Sequence, residues 1–374
     1  MANIINYSPR LPKLFKDLGM DTYKSLFVVD VGASGGIHDR WNLFGEKLEA
    51  IGFEPLIAEA ERLNSINTNP KIKYEEGFIV YKNLDKYYPA ELRNNEYNFF
   101  NSFARSSAAR ANQAKNYNYA QEHFNAGKAI VHSERFFEMD DYVKENNITD
   151  IDFIKIDTDG HDFPVLLSAE QSLQDTAVLG LEIEAQFHGA PHPYANTFSN
   201  IDQFVRSKGF SLFNLDTYFY SRAQLPNEFL YDIFAQTKNG KIECGEAFYF
   251  RDLADKNYTQ KFNFSVSLNK VVKLACLFEV HGLNDCAAEL LINRAEEFGF
   301  TKHLDVLLDA LTPSFRGKQL TYKEYIKRFD ENPEEWFPSI EGKINERLFG
   351  DASGKRGILV KLLSWGYKLL KKFK

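Results

Sequence analysis

Glycines and one acidic residue lie where two short apolar runs end. The first run, 26–31, leads into Gly32, Gly35 and Gly36 at a predicted strand-to-helix turn. Glycines in such a turn let a ligand contact the backbone directly. A second apolar strand ends at Glu54, about 20 residues after the turn, where a carboxylate can bind both hydroxyls of a ribose. This order of residues predicts a site for a nucleoside cofactor.

The spacing of the glycines and the local charge favour one class of cofactor. Dinucleotide sites need Gly-x-Gly-x-x-Gly, whereas this loop reads Gly-Ala-Ser-Gly-Gly, so NAD is disfavoured. A pyrophosphate would also need a helix N-terminus free of negative charge. Asp30 and Glu54 bring negative charge, which suits a cationic nucleoside without phosphate, such as S-adenosylmethionine. The alternative is an ordinary βαβ unit whose glycines only permit a tight turn.

The composition of the chain predicts a soluble, cytoplasmic protein with at least one full core. Of its 374 residues, 44% are hydrophobic and 26% are charged. No run approaches the roughly 20 apolar residues of a membrane span, and the N-terminus lacks a signal-peptide pattern. The cysteines have no Cys-x-x-Cys spacing, which indicates reduced thiols rather than disulfides or a zinc site. They are Cys244, Cys276 and Cys286.

The charge of the chain is unevenly distributed. The formal net charge is −7, yet the last twenty residues contain only basic residues among their charged positions. An acidic body argues against nucleic acid as a partner, and the basic end is typical of a separate module. The basic residues are Lys355, Arg356, Lys361, Lys368, Lys371, Lys372 and Lys374.

Strands and helices alternate from the first strand to about residue 250, which predicts an α/β fold with a doubly wound, mostly parallel sheet. Ligands of such sheets bind at the carboxyl ends of the strands, where the strand order reverses. We therefore expect Asp30, Glu54 and Asp157 to converge. The predicted strands are 26–31, 49–54, 71–75, 129–133, 151–157, 178–187, 210–215, 230–235 and 246–250.

The strand pattern is interrupted once and then ends. Residues 1–252 are predicted to form the main domain, with an insertion at about 85–128 that is either a lid over the cleft or a polar helical excursion. Helical periodicity over 253–350 predicts an accessory region that binds acceptor, another protein or a second copy of the chain. Residues 351–374 form a third segment.

A second strand-to-helix turn is rich in acidic residues. Residues 151–170 read Ile-Asp-Phe-Ile-Lys-Ile-Asp-Thr-Asp-Gly-His-Asp-Phe-Pro-Val-Leu-Leu-Ser-Ala-Glu. Together with the glycine loop upstream, this stretch resembles the FkbM-like family of S-adenosylmethionine-dependent O-methyltransferases, which carry Ile-Asp-x-x-Lys-Ile-Asp-x-Glu-Gly-x-Glu after Asp-x-Gly-Ala-Asn-x-Gly. The polar residues at this strand end are Asp157, Asp159, His161 and Asp162.

The resemblance covers about 26–184 and has two kinds of departure. Ser34 stands where the family often has Asn, and Asp159 and Asp162 replace its usual Glu residues. These acidic replacements keep the charge and shorten the reach of the side chain. The further shared segments are Gly-Phe-Glu-Pro at 52–55, the pair Asn101 and Ser102, the run 139–142, and Glu182.

The resemblance implies a Rossmann-like class I methyltransferase fold. It also implies that Gly32, Ala33 and Gly35 lie near the methionine part of S-adenosylmethionine and that Glu54 binds the ribose. The complete predicted cofactor site consists of Asp30, Gly32, Ala33, Gly35, Glu54, Asn101, Ser102 and Asp157.

Methyl transfer to a hydroxyl needs an aligned acceptor and a group that removes its proton. His161 follows Asp157 by one turn, and an imidazole with a pKa near ~6.5 suits proton transfer close to neutrality. His188 and His192 follow the next strand and are expected at the same rim. We predict Asp157, His161 and His188 as the catalytic residues. An ordinary structural role is the alternative for each histidine.

A divalent metal is a variant of this mechanism, because mixed oxygen and nitrogen ligands could lower the pKa of the acceptor hydroxyl. The alternative for the aspartates is capping of the following helix. Lys155 is expected to pair with Glu182 on the neighbouring strand. The residues that could hold a metal are Asp157, Asp159, His161, Glu184 and His188.

The last segment predicts a basic amphipathic helix. At 100° per residue, its leucines and aromatic residues fall on one arc and its lysines on the opposite side. Such a helix can lie in the headgroup region of an anionic bilayer. The alternative is that its apolar face docks on the helical region 253–350.

The combined inferences predict a methyltransferase that acts on a sugar hydroxyl of a surface glycan, a glycolipid or a nucleotide-linked precursor. The protein would then be cytoplasmic and peripheral on the inner face of the membrane. One alternative is methylation of a small secondary metabolite. The other is a non-catalytic module that binds S-adenosylmethionine and organises glycan enzymes.

Overall fold

The computed structural model describes most of the chain. Its described ranges are 5–93, 132–221, 228, 230 and 236–336. Two units are distinct in it, the first ending at Leu311 and the second beginning at Thr312. Most of the predicted insertion and of the strands 129–133 and 230–235 lies outside these ranges, as do Asn101, Ser102 and the whole of 351–374.

The described strands of the first unit form one large sheet and one small sheet. They are β1 Leu26–Val31, β2 Leu48–Glu54, β3 Ile72–Glu76, β4 Phe78–Ile79, β5 Phe136–Phe137, β6 Phe153–Ile156, β7 Gly180–Gln186, β8 Phe210–Tyr220, β9 Gln236–Thr237 and β10 Lys241–Arg251. The large sheet has the order β3-β2-β1-β6-β7-β10-β8-β9, and β4 pairs with β5.

The strand order confirms the predicted doubly wound, mostly parallel sheet. All pairs from β3 to β7 are parallel, whereas β10 runs antiparallel to β7 and β8. The order reverses between β1 and β6, because the chain first builds outward through β2 and β3 and then crosses back. A reversal of this kind opens a crevice at the carboxyl ends of the strands.

Helices cover both faces of the sheet. The helices of the first unit are α1 Leu11–Asp17, α2 Ile57–Ile66, α3 Leu84–Tyr87, α4 Ala90–Arg93, α5 Met139–Glu145, α6 Asp162–Ser168, α7 Ser172–Asp175, α8 Phe198–Ser207, α9 Tyr258–Phe262, α10 Leu268–Val280, α11 Asn284–Arg294 and α12 Leu304–Leu311, with the 3-10 segments Asp39–Lys47 and Thr301–His303. The second unit, described by itself, contains α13 Tyr322–Glu331 and the 3-10 segment Pro333–Trp336.

Each face of the sheet has its own core. On one face Val29, Ile154 and Ile183 pack with α5, α6 and α8. On the other face Val28 and Phe153 pack with the 3-10 segment 39–47 and with helices α10 to α12. The helices after residue 252 therefore share a core with the sheet up to Leu311. The boundaries at 252 and 350 stay predictions about domain organisation.

Helix α10 is attached to the sheet by ion pairs, and those with Asp152 are buried. The Lys270 ammonium lies 2.5 Å from Asp150 Oδ1 and 3.0 Å from Asp152 Oδ1. The Lys273 ammonium lies 2.9 Å and 2.8 Å from the other oxygens of the same two carboxylates. Asp152 also accepts a hydrogen bond from the Phe27 amide at 2.9 Å. Buried charges need such compensation, so these pairs join α10 to the starts of β1 and β6.

The second unit is small over its described part. A capping box between Thr321 and Glu324 starts α13. Phe315 stacks on Trp336 with their ring centroids 4.3 Å apart, and Tyr325 and Phe329 meet Trp336 edge-on.

No helix in the described ranges is long and apolar enough to cross a membrane.

His281 at the end of α10 is buried in an aromatic box. Its ring stacks on Phe153 with centroids 5.5 Å apart and lies 5.3 Å from Phe250. Nδ1 lies 2.7 Å from the Leu277 carbonyl oxygen and donates to it in the neutral tautomer that suits this burial. Burial lowers the pKa of His281 to about 3. The folded protein therefore holds this imidazole neutral across the physiological range.

We expect His281→Phe to reduce the sensitivity of the fold to acid. The unfolded chain binds a proton on this histidine near pH ~6.5, whereas the folded chain does so only near pH 3. Acid therefore favours unfolding between these values, and the wild type should lose about 3 kcal/mol more than the variant between pH 7 and pH 4. Urea unfolding at each pH measures this difference. Parallel losses in both proteins would contradict the assignment.

Candidate functional site

The glycine loop after β1 lies against the end of β6. A Cβ atom on Gly32 would lie 1.8 Å from the Asp157 carbonyl oxygen, and Gly32 has φ +86°. The amides of Gly32 and Ala33 both donate to the Phe53 carbonyl, at 3.1 and 3.0 Å, and the Asp157 amide donates to the Val31 carbonyl. The loop therefore fills the narrow space between the ends of β2 and β6, and only glycine fits there.

The far side of the loop is attached to α2 and β3. The Gly35 amide donates to Glu59 Oε1 at 3.0 Å, and the Ile37 amide donates to the Tyr74 hydroxyl oxygen at 3.0 Å. The Ala33 methyl group is buried with Leu63 and Tyr74. A ligand could thus contact Ala33 through its backbone, while its side chain holds the turn in place.

Glu54 lies at the end of β2, next to the glycine loop. The residue is 2% exposed, and its Oε1 accepts a hydrogen bond from the Leu56 amide at 2.8 Å. Burial raises the pKa of its carboxyl above the usual value. No hydrogen bond of Oε2 is found within the described part of the chain. The carboxylate is therefore oriented by one hydrogen bond and can accept others.

Asp30 and Asp157 meet at a common lysine. The Lys155 ammonium lies 3.5 Å from Asp30 Oδ1 and 3.2 Å from Asp157 Oδ2. Burial raises the pKa of Asp30 to about 6, although Lys155 lowers it. Burial alone would lower the pKa of Lys155, but the carboxylates of Asp30 and Asp157 raise it. The structure thus brings two of the three predicted convergent carboxylates to one ammonium group.

The predicted ion pair between Lys155 and Glu182 is wrong. The two residues are register neighbours on β6 and β7, yet Glu182 pairs with the Arg40 guanidinium, and both side chains are buried. Arg40 belongs to the 3-10 segment 39–47, and its guanidinium lies 4.8 Å from the centroid of the Trp41 ring. The nearer arginine takes Glu182, so Lys155 pairs with the two aspartates.

The turn after β6 separates an exposed set of residues from a buried one. Asp157, Asp159 and His161 are exposed, whereas Asp162 is fully buried. Asp162 Oδ1 accepts hydrogen bonds from the amide and hydroxyl of Thr158 at 2.9 and 3.0 Å. Burial raises the pKa of Asp162 to about 6. Helix α6 has no side-chain cap, so the capping role considered for the aspartates is not observed. Asp162 instead holds the turn from inside, and the exposed residues lie at the strand end.

His188 and His192 line a different part of the rim. They belong to the loop after β7, which surrounds a cavity of about 430 Å³. His188 Nδ1 lies 3.1 Å from the Glu243 carbonyl oxygen, and burial lowers the pKa of its imidazole. The His192 ring stacks on Tyr88 with centroids 5.2 Å apart.

The structure does not support the predicted metal alternative in the part of the chain that it describes. No group of three or more histidine, cysteine or acidic side chains is arranged there to hold a metal ion. Asn101 and Ser102 lie outside the described residues, so their assignment to the cofactor stays a prediction. The same holds for the individual catalytic and cofactor-binding roles of the residues placed above.

Residues 30–212 match the family model of the methyltransferase FkbM domain. The chain carries an FkbM methyltransferase domain. This match confirms the resemblance inferred from the two strand-end motifs, and with the strand order it confirms the Rossmann-like class I fold. The protein is an S-adenosylmethionine-dependent methyltransferase.

Several solved methyltransferase structures are similar to this one over part of its length. A precorrin-6y C5,15-methyltransferase from Geobacter metallireducens has 7% identity and a TM-score of 0.29, covering 63% of this chain and 84% of its own. A TehB-like S-adenosylmethionine-dependent methyltransferase from Corynebacterium glutamicum has 11% identity and a TM-score of 0.27, covering 65% and 88%. An S-adenosylmethionine-dependent methyltransferase from Aquifex aeolicus has 10% identity and a TM-score of 0.26, covering 65% and 90%. No curated protein sequence matches the chain.

The residues at the switch point fit S-adenosylmethionine. Gly35 has open space where a Cβ atom would stand, so a cofactor could approach the backbone of the turn there. Glu54 offers an oriented carboxylate at the position where this fold binds a ribose. The carboxylates of Asp30, Glu54 and Asp157 lie at the ends of these strands together with the one ammonium group of Lys155, which suits a positively charged cofactor.

A row of polar residues lies further along the sheet, and only Glu184 among them was a candidate from the sequence, as a metal ligand. Glu246 on β10 stands opposite Glu184 on β7, and the Tyr218 hydroxyl donates to Glu246 Oε1 at 2.9 Å. Gln186 follows on the same face as Glu184. A signal for this row was available, because β7 alternates polar and apolar residues, whereas a strand buried on both faces reads as continuously apolar.

We expect Gly32→Ala to weaken S-adenosylmethionine binding by at least roughly tenfold. The new Cβ would collide with the Asp157 carbonyl, which must move β6 away from the turn. Gly19→Ala is the matched control, because Gly19 has φ +67° with open space around it and adds only backbone strain of about 1 kcal/mol. Calorimetric titration compares the two variants. Equal affinities would contradict the role of the close approach at Gly32.

Proposed function

We propose that this methyltransferase acts on a sugar hydroxyl of a surface glycan, a glycolipid or a nucleotide-linked precursor. The observation that carries the proposal is the cavity after β7. Phe187 and two prolines give it apolar surface, and His188, Asn200 and two hydroxyl side chains give it hydrogen-bonding groups. Its lining residues within the described chain include no lysine, arginine or carboxylate. A neutral ring that carries hydroxyls matches this chemistry.

Stacked rings support the walls of this cavity. Ring pairs join the loop after β7 to α3, to the residue after α3 and to α8, and stacking of this kind restricts side-chain movement. A cavity with fixed walls binds a rigid ring with a smaller entropy cost than a mobile loop would. The pairs are Tyr88 with His192, Tyr87 with Tyr194, and Phe187 with Phe198, with ring centroids 5.2, 4.9 and 5.2 Å apart.

The chemistry needs a group that accepts the proton of the acceptor hydroxyl. S-adenosylmethionine supplies a methyl group on a positively charged sulfur. Asp157 is oriented by Lys155 at 3.2 Å, and with exposed His161 it lies at the strand end that faces the crevice. His188 offers a neutral imidazole, because burial lowers its pKa. Each of the three could take the proton as the acceptor oxygen attacks the methyl carbon.

The C-terminal segment supports a membrane-bound acceptor. Residues 351–374 lie outside the described residues, and their sequence places lysines opposite an apolar arc. A segment of this pattern binds anionic lipid surfaces. We therefore include in the proposal a cytoplasmic enzyme that is peripheral on the inner membrane face, where lipid-linked glycans are assembled.

Purified protein should transfer labelled methyl groups from S-adenosylmethionine to glycan extracted from its host. Glu54→Ala should lose at least about tenfold in S-adenosylmethionine affinity by calorimetry, because it lacks the carboxylate at the end of β2. Glu49→Ala, at the amino end of the same strand, should bind as the wild type does. NAD and a nucleotide sugar serve as comparison titrants for the cofactor site.

Two results would contradict this proposal in different ways. Cofactor binding with methyl transfer only to small metabolites would replace the glycan by a soluble acceptor. Cofactor binding without any transfer, and indifference to Asp157→Asn, would favour a non-catalytic scaffold.

The full-length protein should float with vesicles that contain anionic phosphatidylglycerol and remain behind with neutral phosphatidylcholine. Replacing four C-terminal lysines by glutamine should lower vesicle binding by at least roughly tenfold, because each lysine contributes about 1 kcal/mol near an anionic surface. Those lysines are Lys361, Lys368, Lys371 and Lys372. The matched control replaces four exposed lysines elsewhere: Lys13, Lys16, Lys144 and Lys302. Flotation that is equal for both variants would disprove lipid binding through this segment.

A further inference from the structure

Two buried polar atoms on β7 have no hydrogen-bond partner among the described residues. They are Glu184 Oε2 and Gln186 Nε2, and Gln186 is only 3% exposed. The two residues are two positions apart on one strand, so their side chains leave the same face of the sheet. Buried polar atoms in native proteins are almost always paired. An acceptor oxygen and a donor nitrogen left unpaired side by side therefore indicate a ligand.

The register of the sheet places this pair beside Asp157. Strands β6 and β7 are parallel, and Lys155 stands opposite Glu182. Two residues further along each strand, Asp157 and Glu184 reach the same level, about 5 Å apart between strands. After burial, Asp157 is the charge that most raises the pKa of Glu184, to about 8. Glu184, with its unpaired Oε2, therefore lies beside Asp157, one of the groups that could accept the proton of the acceptor hydroxyl.

The two glutamates on either side of Glu184 already have partners. Glu246 stands opposite Glu184 and accepts the Tyr218 hydroxyl at 2.9 Å. Glu182, on the other side along β7, is paired with Arg40. The Cys244 thiol, opposite Gln186, also contacts the Glu184 side chain. No residue in the described ranges is hydrogen-bonded to Glu184 Oε2 itself.

We propose that Glu184 and Gln186 bind a second hydroxyl of the acceptor, beside the hydroxyl that is methylated. This inference rests on the proposed function. A hydroxyl can accept the Gln186 N–H and donate to Glu184 at once. An ammonium group carries only donors and would leave the Gln186 N–H unpaired. A metal ion would not bind the amide nitrogen either, so a neutral polyol matches both atoms.

The pair would make the enzyme selective for acceptors with adjacent hydroxyls. An analogue that lacks the second hydroxyl would leave a buried donor and a buried acceptor unpaired. Sites that hydrogen-bond a substrate hydroxyl discriminate against the deoxy analogue strongly for this reason. Glu184 and Gln186 are then specificity-determining residues of the acceptor site.

Two apolar replacements of similar length test the inference. In Gln186→Met and Glu184→Met, kcat/KM for labelled methyl transfer to the host glycan should fall at least about 100-fold. The Kd of S-adenosylmethionine should stay within about twofold of the wild type. The Tm should equal or exceed that of the wild type, because each change removes an unpaired buried polar atom. Glu184→Gln, which can still bond a hydroxyl, should retain more activity than Glu184→Met.

The control and the contrary outcomes separate this inference from the proposed function. Gln203→Met, at an exposed position of α8, should leave all three quantities unchanged. If the wild type is active and both methionine variants keep kcat/KM within about threefold of it, the inference is overturned and the proposed function is not. A marked fall in Tm in both methionine variants would also overturn it, because the pair would then have structural partners. A wild type that binds S-adenosylmethionine and labels no glycan would overturn the proposed function itself.

Discussion

The ammonium group of Lys155 is the interaction on which the site depends. It lies between Asp30 and Asp157, at 3.5 and 3.2 Å, and so lets two neighbouring parallel strands end in carboxylates at the same edge. Even with this lysine present, burial raises the pKa of Asp30 to about 6. Without it, the two carboxylates would repel each other at the edge where we expect the positively charged cofactor. The lysine thus permits an acidic site within a buried sheet.

One face of the sheet has an apolar part that packs in the core and a charged part that belongs to the candidate site. Each central strand is apolar near its amino end and charged near its carboxyl end, as in Val28 and then Asp30, or Phe153 and then Lys155. The apolar half lies under α10 and its neighbouring helices, where burial stabilises the fold. The charged side chains of the same face begin two residues further along each strand. The site therefore uses the same strands that form the core and takes its rigidity from them.

Local patterns made part of the site predictable, and non-local pairing hid the rest. Gly32 and Glu54 were found because a strand followed by a glycine turn and a strand ending in an acid are short-range signals. The partner of Glu182 was missed because Arg40 is 142 residues away in the chain and belongs to an irregular 3-10 segment. Gln186 was missed because the prediction of strand 178–187 assigned no face to its residues, although their alternation indicated one polar face.

The buried charges of this fold that have partners show why the atoms without partners on β7 need an explanation. Where charge is structural, the chain supplies the partners: Lys270 and Lys273 each contact two carboxylates, and Arg40 meets Glu182. Leaving a buried polar group unpaired costs about 1–3 kcal/mol, a large part of a typical margin of 5–15 kcal/mol. Glu184 Oε2 and Gln186 Nε2 have no partner among the described residues, and apolar residues at these two positions would avoid this cost. That both positions are polar, on one face and beside Asp157, is explained if the missing partner arrives with the acceptor.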